Sequence, residues 1–236
     1  MVYNPKNKKR SFGILIHPTS LPGKTGYGTF GEGLKEWIEL LSKYKINSWQ
    51  FLPLTPTDET GSPYCSPSSF ALNPWFLDMN ELIEEGYILE SDLIDNDRVY
   101  INSSNTFNFK VSDLFAEALG NCLAKNWQNQ TIETKNHFEE WNCQNKWVFD
   151  YSIFMTLKEQ FKKKPWWLWP REFKNKNEEE IREWLIKNKN KVLIKRLVQW
   201  HLHRQWLKIR RFAKSKGVDL IGDLPFYVSR DSVDVW

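Results

Sequence analysis

Two kinds of hydrophobic patterning divide the chain. Residues 11–16, SFGILI, form a short apolar run that stops at HPTSLPGKTGYGTFG, where two Pro and four Gly exclude regular structure. This reads as a strand followed by a loop. Leu34, Trp37, Ile38 and Leu41 then recur at helical spacing, with Lys35, Glu36, Glu39 and Lys43 on the other face and Thr29 available as a cap, which predicts a helix at 31–44. INSWQFLPL at 46–54 reads as a buried strand, and the following TPTDETGSPYCSPSSF is again a loop dense in Pro, Gly, Ser and Thr. Strand, loop, helix and strand in this order predict a parallel α/β sheet with right-handed crossovers.

Beyond residue 75 the alternation stops. Helical signals follow at 78–86, 111–126, 149–162, 178–188 and 191–216, and a third strand, VDLIGDLPFYV at 218–228, comes directly after Gly217 at the position of a helix terminator. The long interval between the second and third strands far exceeds the roughly 2–6 residues of an ordinary α/β loop. It reads as an inserted, mainly helical subdomain. The expected organisation is a basic tail at 1–10, two strands with their loops at 11–74, a helical insertion at 75–190, and a crossover helix with the third strand at 191–236. Parallel sheets are covered on both faces, and three strands alone cannot meet that demand, so the chain reads as truncated.

Composition narrows the class. With 41% apolar and 15% aromatic residues the chain is neither disordered nor low-complexity. No run approaches the roughly 20 apolar residues of a membrane span, and the N-terminus is not a secretory signal. Cys65, Cys122 and Cys143 are odd in number and widely spaced, without metal-ligand spacing, which points to a reducing, cytoplasmic compartment and no structural zinc. The net charge of +4 equals Lys6, Lys8, Lys9 and Arg10 alone. The rest splits into a basic stretch, 158–216, at +13 and an acidic remainder at −13.

The loops leaving the carboxyl ends of the strands are where an α/β barrel builds its site. Here each is rich in hydroxyls, Gly and Pro and carries aromatics: Tyr27 in the first, Tyr64 and Phe70 in the second, Phe226 and Tyr227 in the third. Hydroxyls and carboxylates for sugar OH groups, with aromatic faces for a pyranose ring, suit a carbohydrate site. Asp223, a carboxylate held in GDLP at the end of the third strand, is either a site residue or a turn cap. Asp231 reads as an N-cap or turn residue and Asp58 as a loop acceptor. His201 and His203 lie on different faces of a helix, which favours packing or surface roles over a metal pair. The tryptophans of KPWWLWP at 164–170 read as core before they read as a sugar platform. The basic helix places Leu193, Leu197, Trp200 and Leu207 as a sheet-packing stripe, with Lys and Arg on its solvated face.

Three strings carry a resemblance: SFGILIHPTSLPG, SWQFLPLTPTDETGSPYCSPSSFALNPWFLD and QWHLHRQWLKIRRFAKSKGVDLIGDLPFYVSRDSVDVW. Together they closely resemble the 4-α-glucanotransferases, the amylomaltases of bacteria and disproportionating enzymes of plants. The resemblance implies the N-terminal part of an α-amylase-like (β/α)8 TIM barrel, with the helical insertion between strands 2 and 3. It implies transfer of α-1,4-glucan segments between maltooligosaccharides by a retaining double displacement, in which an Asp nucleophile and a Glu acid/base act without metal or organic cofactor. Carried over by position, Ser62 and Tyr64 match the sugar-contacting loop, and Asp223 matches a supporting carboxylate that is not the nucleophile. Cys65 departs from the polar residue usual after SPY. The family's strings resembling RIDHFRG and AEDLG, which hold the nucleophile and the acid/base, do not occur in these 236 residues. No catalytic residue is therefore assigned here, and the chain alone is expected to be inactive.

Two other readings remain at this point. One is a non-catalytic glucan-binding module that keeps the sugar loops; the other is a basic nucleic-acid binder, whose affinity would fall steeply with salt. No nucleic-acid-reading motif accompanies the basic helix, so the expected partners are glucans, with no nucleic acid and no membrane.

Overall fold

A computed structural model describes residues 11–23, 26–94 and 108–236. The basic tail at 1–10 lies outside the described residues. Three short strands, β1 (Gly13–Leu15), β2 (Ser48–Gln50) and β3 (Asp219–Ile221), make one parallel sheet in the order β1-β2-β3. Their register puts Ile14, Trp49 and Leu220 in one row and Leu15, Gln50 and Ile221 in the next. Successive side chains of a strand point to opposite faces, so these two rows face opposite ways. Trp49 is fully buried and donates its indole N–H to the Ile16 carbonyl at 2.8 Å. Leu15 and Ile221 are 59% and 44% exposed.

The covered face packs on two helices. Helix α1 (Glu32–Lys43) buries Leu34, Ile38 and Leu41, the stripe its periodicity predicts. Its start differs from expectation. Gly31 is the N-cap, and the Thr29 hydroxyl instead donates to Asp78 Oδ2 at 2.6 Å. A Cβ at Gly31 would lie 2.1 Å from that same carboxylate oxygen, so only glycine fits there. Helix α8 (Glu178–Ser215) joins the two signals expected at 178–188 and 191–216 into one 38-residue helix. Asn177 caps it by accepting from the Glu179 and Glu180 amides, acidic residues fill its first turn, and Gly217 at φ +71° lets the chain turn out into β3. Leu197, Trp200 and Ile209 are buried, whereas Leu207, placed on the packing stripe by sequence, is 42% exposed.

The helices between the second and third strands are α2 (Met79–Glu84), α3 (Ser91–Ile94), α4 (Phe109–Asn126), α5 (Ile132–Gln144), α6 (Trp147–Gln160) and α7 (Arg171–Lys174). Helix α5 has no counterpart among the expected elements, because Phe138 is its one fully buried apolar side chain while Ile132 is 79% exposed. A second cluster, built from Phe154, Leu157, Trp169 and Trp184, receives Trp236 from the end of the chain. Trp169 thus packs as core. Part of the basic stretch is paired across elements: Arg204 and Lys208 pair with Glu85, Lys208 also with Glu81, Lys195 with Glu159, Arg196 with Glu139 and Lys216 with Glu39. Among the described residues, no helix is long and apolar enough to cross a membrane.

Candidate functional site

The site is built on the loops that follow β2 and β3. In the first of these, Asp58 Oδ1 accepts from the Thr60 amide at 2.9 Å, the Thr60 hydroxyl at 2.7 Å and the Ser62 amide at 3.0 Å. Partial burial pushes the Asp58 carboxyl up, but these hydrogen bonds outweigh it and hold the group below the usual carboxylate range. Asp58 is the loop acceptor that sequence expects. Gly61, at φ +82°, closes the turn against the Phe109 ring.

Ser62 then caps a single 3₁₀ turn, Pro63–Cys65, by accepting from the Tyr64 amide at 3.3 Å, while the Thr55 hydroxyl donates to the Pro63 carbonyl at 2.9 Å. This turn presents Tyr64, 43% exposed. Its hydroxyl donates to Asp223 Oδ2 at 2.7 Å. The bond to the Asp223 carboxylate, with smaller contributions from desolvation and charge, raises the Tyr64 phenol above its ordinary value. Asp223 sits two residues beyond β3, so the sheet register carries it to the same end as the loop after β2. The structure therefore gathers all three sequence-derived site positions, Ser62, Tyr64 and Asp223. Asp223 also lines a cleft of about 310 Å³, whose wall includes Phe51, Thr55, Phe70, Trp206 and Arg210.

The other expected aromatics fall in separate settings, and of these Phe70 shares the cleft with Asp223. Tyr27 is 1% exposed and packs with Trp75 and Ala116 in a buried cluster. Phe70 is exposed and stacks on Trp147, with centroids 6.1 Å apart. Phe226 and Tyr227 are 98% and 87% exposed. Asp231 lies in a bend just before the turn at 233–235, as a turn residue is expected to, and its carboxylate also pairs with Lys158 at 2.6 Å and accepts from the Trp166 amide at 3.3 Å. His201 and His203 lie within the fold, as packing residues. Burial holds His203 at about 4, and burial with Arg204 and Lys208 nearby holds His201 well below its ordinary value.

Sequence reasoning missed the groups that fix the segment behind the site. Gln199 of α8 forms a two-way bridge to Leu72, accepting from its amide at 2.9 Å and donating to its carbonyl at 2.7 Å. Gln205 does the same to Asp78, at 2.9 and 3.0 Å. Both glutamines are buried, yet in the sequence they read as polar positions of a solvated basic helix. Among the described residues no group of three His, Cys, Asp or Glu side chains gathers to hold a metal ion.

Residues 16–236 match the family model described as 4-alpha-glucanotransferase. The chain belongs to that family. It is 33% identical over 229 residues to the 4-alpha-glucanotransferase of Synechocystis sp., covering 97% of this chain and 45% of the relative. Identity to the 4-alpha-glucanotransferase of Clostridium butyricum is 34% over 226 residues, with 94% and 45% covered. Among solved structures, the amylomaltase of Streptococcus agalactiae in complex with acarbose superposes with a TM-score of 0.88 at 31% identity, covering 97% of this chain and 46% of that one. The chain thus spans less than half the length of these 4-alpha-glucanotransferases.

Proposed function

We propose that this chain is the N-terminal portion of a 4-alpha-glucanotransferase and supplies part of its glucan-binding surface. The observation that carries the reading is the Tyr64–Asp223 hydrogen bond, which brings two family-matched positions from loops far apart in sequence to one place. Tyr64 offers a half-open ring face for a glucosyl unit, and Asp223 offers a carboxylate for sugar hydroxyls. Ser62 acts through the backbone, capping the turn that presents Tyr64.

In this reading the three parallel strands are the first of a (β/α)8 barrel, and α2 to α7 belong to an insertion between its second and third strands. Glucan transfer would proceed with retention, through two carboxyl groups about 5–5.5 Å apart, one forming the glycosyl-enzyme and the other acting as acid and then base. Neither family string for those carboxylates is present in the 236 residues. Tyr64 and Asp223 therefore bind and orient sugar, and the chain by itself does not transfer it. The free thiols of Cys65, Cys122 and Cys143 support a reducing, cytoplasmic setting. Incubation with maltotriose tests the reading: no glucose release above a Tyr64→Ala control is expected, and release above that control overturns the proposed inactivity.

A further inference from the structure

The loop that carries Tyr64 is tied largely through one atom, with the Thr55 hydroxyl bond to the Pro63 carbonyl as a second tie. Asp58 Oδ1 gathers three donors, the Thr60 amide, the Thr60 hydroxyl and the Ser62 amide, within 2.7–3.0 Å. The Asp58 amide returns a bond to the Ser62 carbonyl at 3.3 Å, and the Gly61 amide donates to the Asp58 carbonyl at 3.1 Å. Ser62, thus held at both its N–H and its C=O, is the residue whose hydroxyl caps the Tyr64 turn. On the outer side, Gly61 lies so close to helix α4 that a Cβ there would meet Phe109 Cζ at 2.4 Å, so the loop is braced against the helix as well as tied within itself.

The direction of the constraint runs from Asp58 through Ser62 to Tyr64. The phenol reaches Asp223 only if the turn Pro63–Cys65 holds its present aim; the Tyr64 ring is 43% exposed and its hydroxyl bonds a carboxylate on a different loop, so within the loop that aim is set by the Ser62 cap and by the Thr55 bond to the Pro63 carbonyl. A short exposed turn left to itself samples many conformations, and ordering its backbone costs on the order of 1–2 kcal/mol per residue. Three bonds to one ionised oxygen, each stronger than a neutral pair, offset that cost within the loop.

We propose that Asp58 is the positioning residue for Tyr64, acting through Ser62, and that it tunes glucan affinity without touching the sugar. The proposal rests on the glucan-binding reading above only for its second half, and the experiment separates the two. Protein labelled with ¹³C at tyrosine Cζ reports each phenol's titration, and the Tyr64 signal is assigned with Tyr64→Phe. In the unaltered chain Tyr64 should titrate above the ordinary value of about 10 for a free phenol. In Asp58→Ala, and in Ser62→Ala, it should fall back toward that value, because the bond to Asp223 is populated less. Asp58→Asn keeps an accepting oxygen and should retain most of the elevation. Calorimetric titration with maltoheptaose should show a roughly tenfold rise in Kd for Asp58→Ala, the loss of about one charge-assisted hydrogen bond, and about twofold or less for Asp58→Asn. A Tyr64 titration unchanged in Asp58→Ala overturns the positioning role, whatever the glucan result. A titration that shifts while the unaltered chain binds no maltoheptaose supports the positioning of Tyr64 and removes the sugar reading instead.

Discussion

The Tyr64 hydroxyl donates to the Asp223 carboxylate across 2.7 Å although the two residues are 159 positions apart. The distance in sequence is closed by the sheet: β2 and β3 are hydrogen-bonded neighbours, and each loop leaves the same end of its strand. The first prediction concerns this pair. Asp223→Asn should return the Tyr64 phenol toward its ordinary titration, while far-ultraviolet circular dichroism stays unchanged because Asp223 lies outside β3. An unaltered Tyr64 titration in Asp223→Asn contradicts the assigned cause.

The glutamine bridges carry a stability prediction. Gln205→Leu leaves the Asp78 amide and carbonyl without partners in a buried setting, and each unsatisfied group costs about 1–3 kcal/mol. Urea unfolding should show a loss of about 2–6 kcal/mol, with Gln199→Leu similar for Leu72. A loss below about 0.5 kcal/mol, the range of ordinary surface substitutions, would show that these bridges do not hold the segment.

Acid should weaken the fold before most carboxylates titrate. Burial holds His17 and His203 at about 4, the backbone bond at Pro53 only partly opposing it for His17, and His201 lies well below its ordinary 6.5. Above pH 6.5 these groups are neutral in both states and contribute no pH dependence. Below it the unfolded chain binds protons that the folded chain refuses, so stability falls as pH drops from about 6.5 to 4, by at most roughly 3 kcal/mol for each of His17 and His203. Urea midpoints at pH 7.5 and 5 check this. His203→Gln should flatten the difference, and a fold equally stable at both pH values contradicts it.

The open face of the sheet should bind hydrophobic dye. Leu15 and Ile221 share the sheet row opposite to Trp49 and are 59% and 44% exposed, and Leu224 and Phe226, just beyond β3, are 81% and 98% exposed. Large apolar side chains this exposed and this close in the chain are a ready surface for an apolar ligand. ANS fluorescence at neutral pH should be strong and should fall in a Leu224→Ser, Phe226→Ser double variant. Weak fluorescence from the unaltered protein argues that the face is covered in solution.

How much of this was legible in the chain depends on how each group is held. Asp58 is legible because a tight loop of Pro, Gly, Ser and Asp fixes its own geometry through bonds between near neighbours, whereas Ser62 and Tyr64 are singled out by the family resemblance. Asp223 could be placed because it follows an apolar run directly. Residues whose roles come from distant partners were not legible: Thr29 turns from α1 to Asp78, Asp231 crosses to Lys158, and Gln199 and Gln205 point inward from a helix whose charges suggest solvent. Tyr27, an aromatic of the first loop that sequence leaves open between site and core, is settled as core only by tertiary packing on Trp75 and Ala116. Helix α5 escaped because its apolar spacing is sparse and its Thr131 cap, which accepts from the Thr134 amide, is a weak signal without it.

The central claim is that Tyr64 and Asp223 together form glucan-binding surface. Calorimetric titration of maltoheptaose into the 236-residue chain and its Tyr64→Ala, Asp223→Ala double variant tests it most directly. Saturable binding by the unaltered chain that is lost in the double variant is the predicted result. Equal binding by both proteins, or none by either, contradicts it.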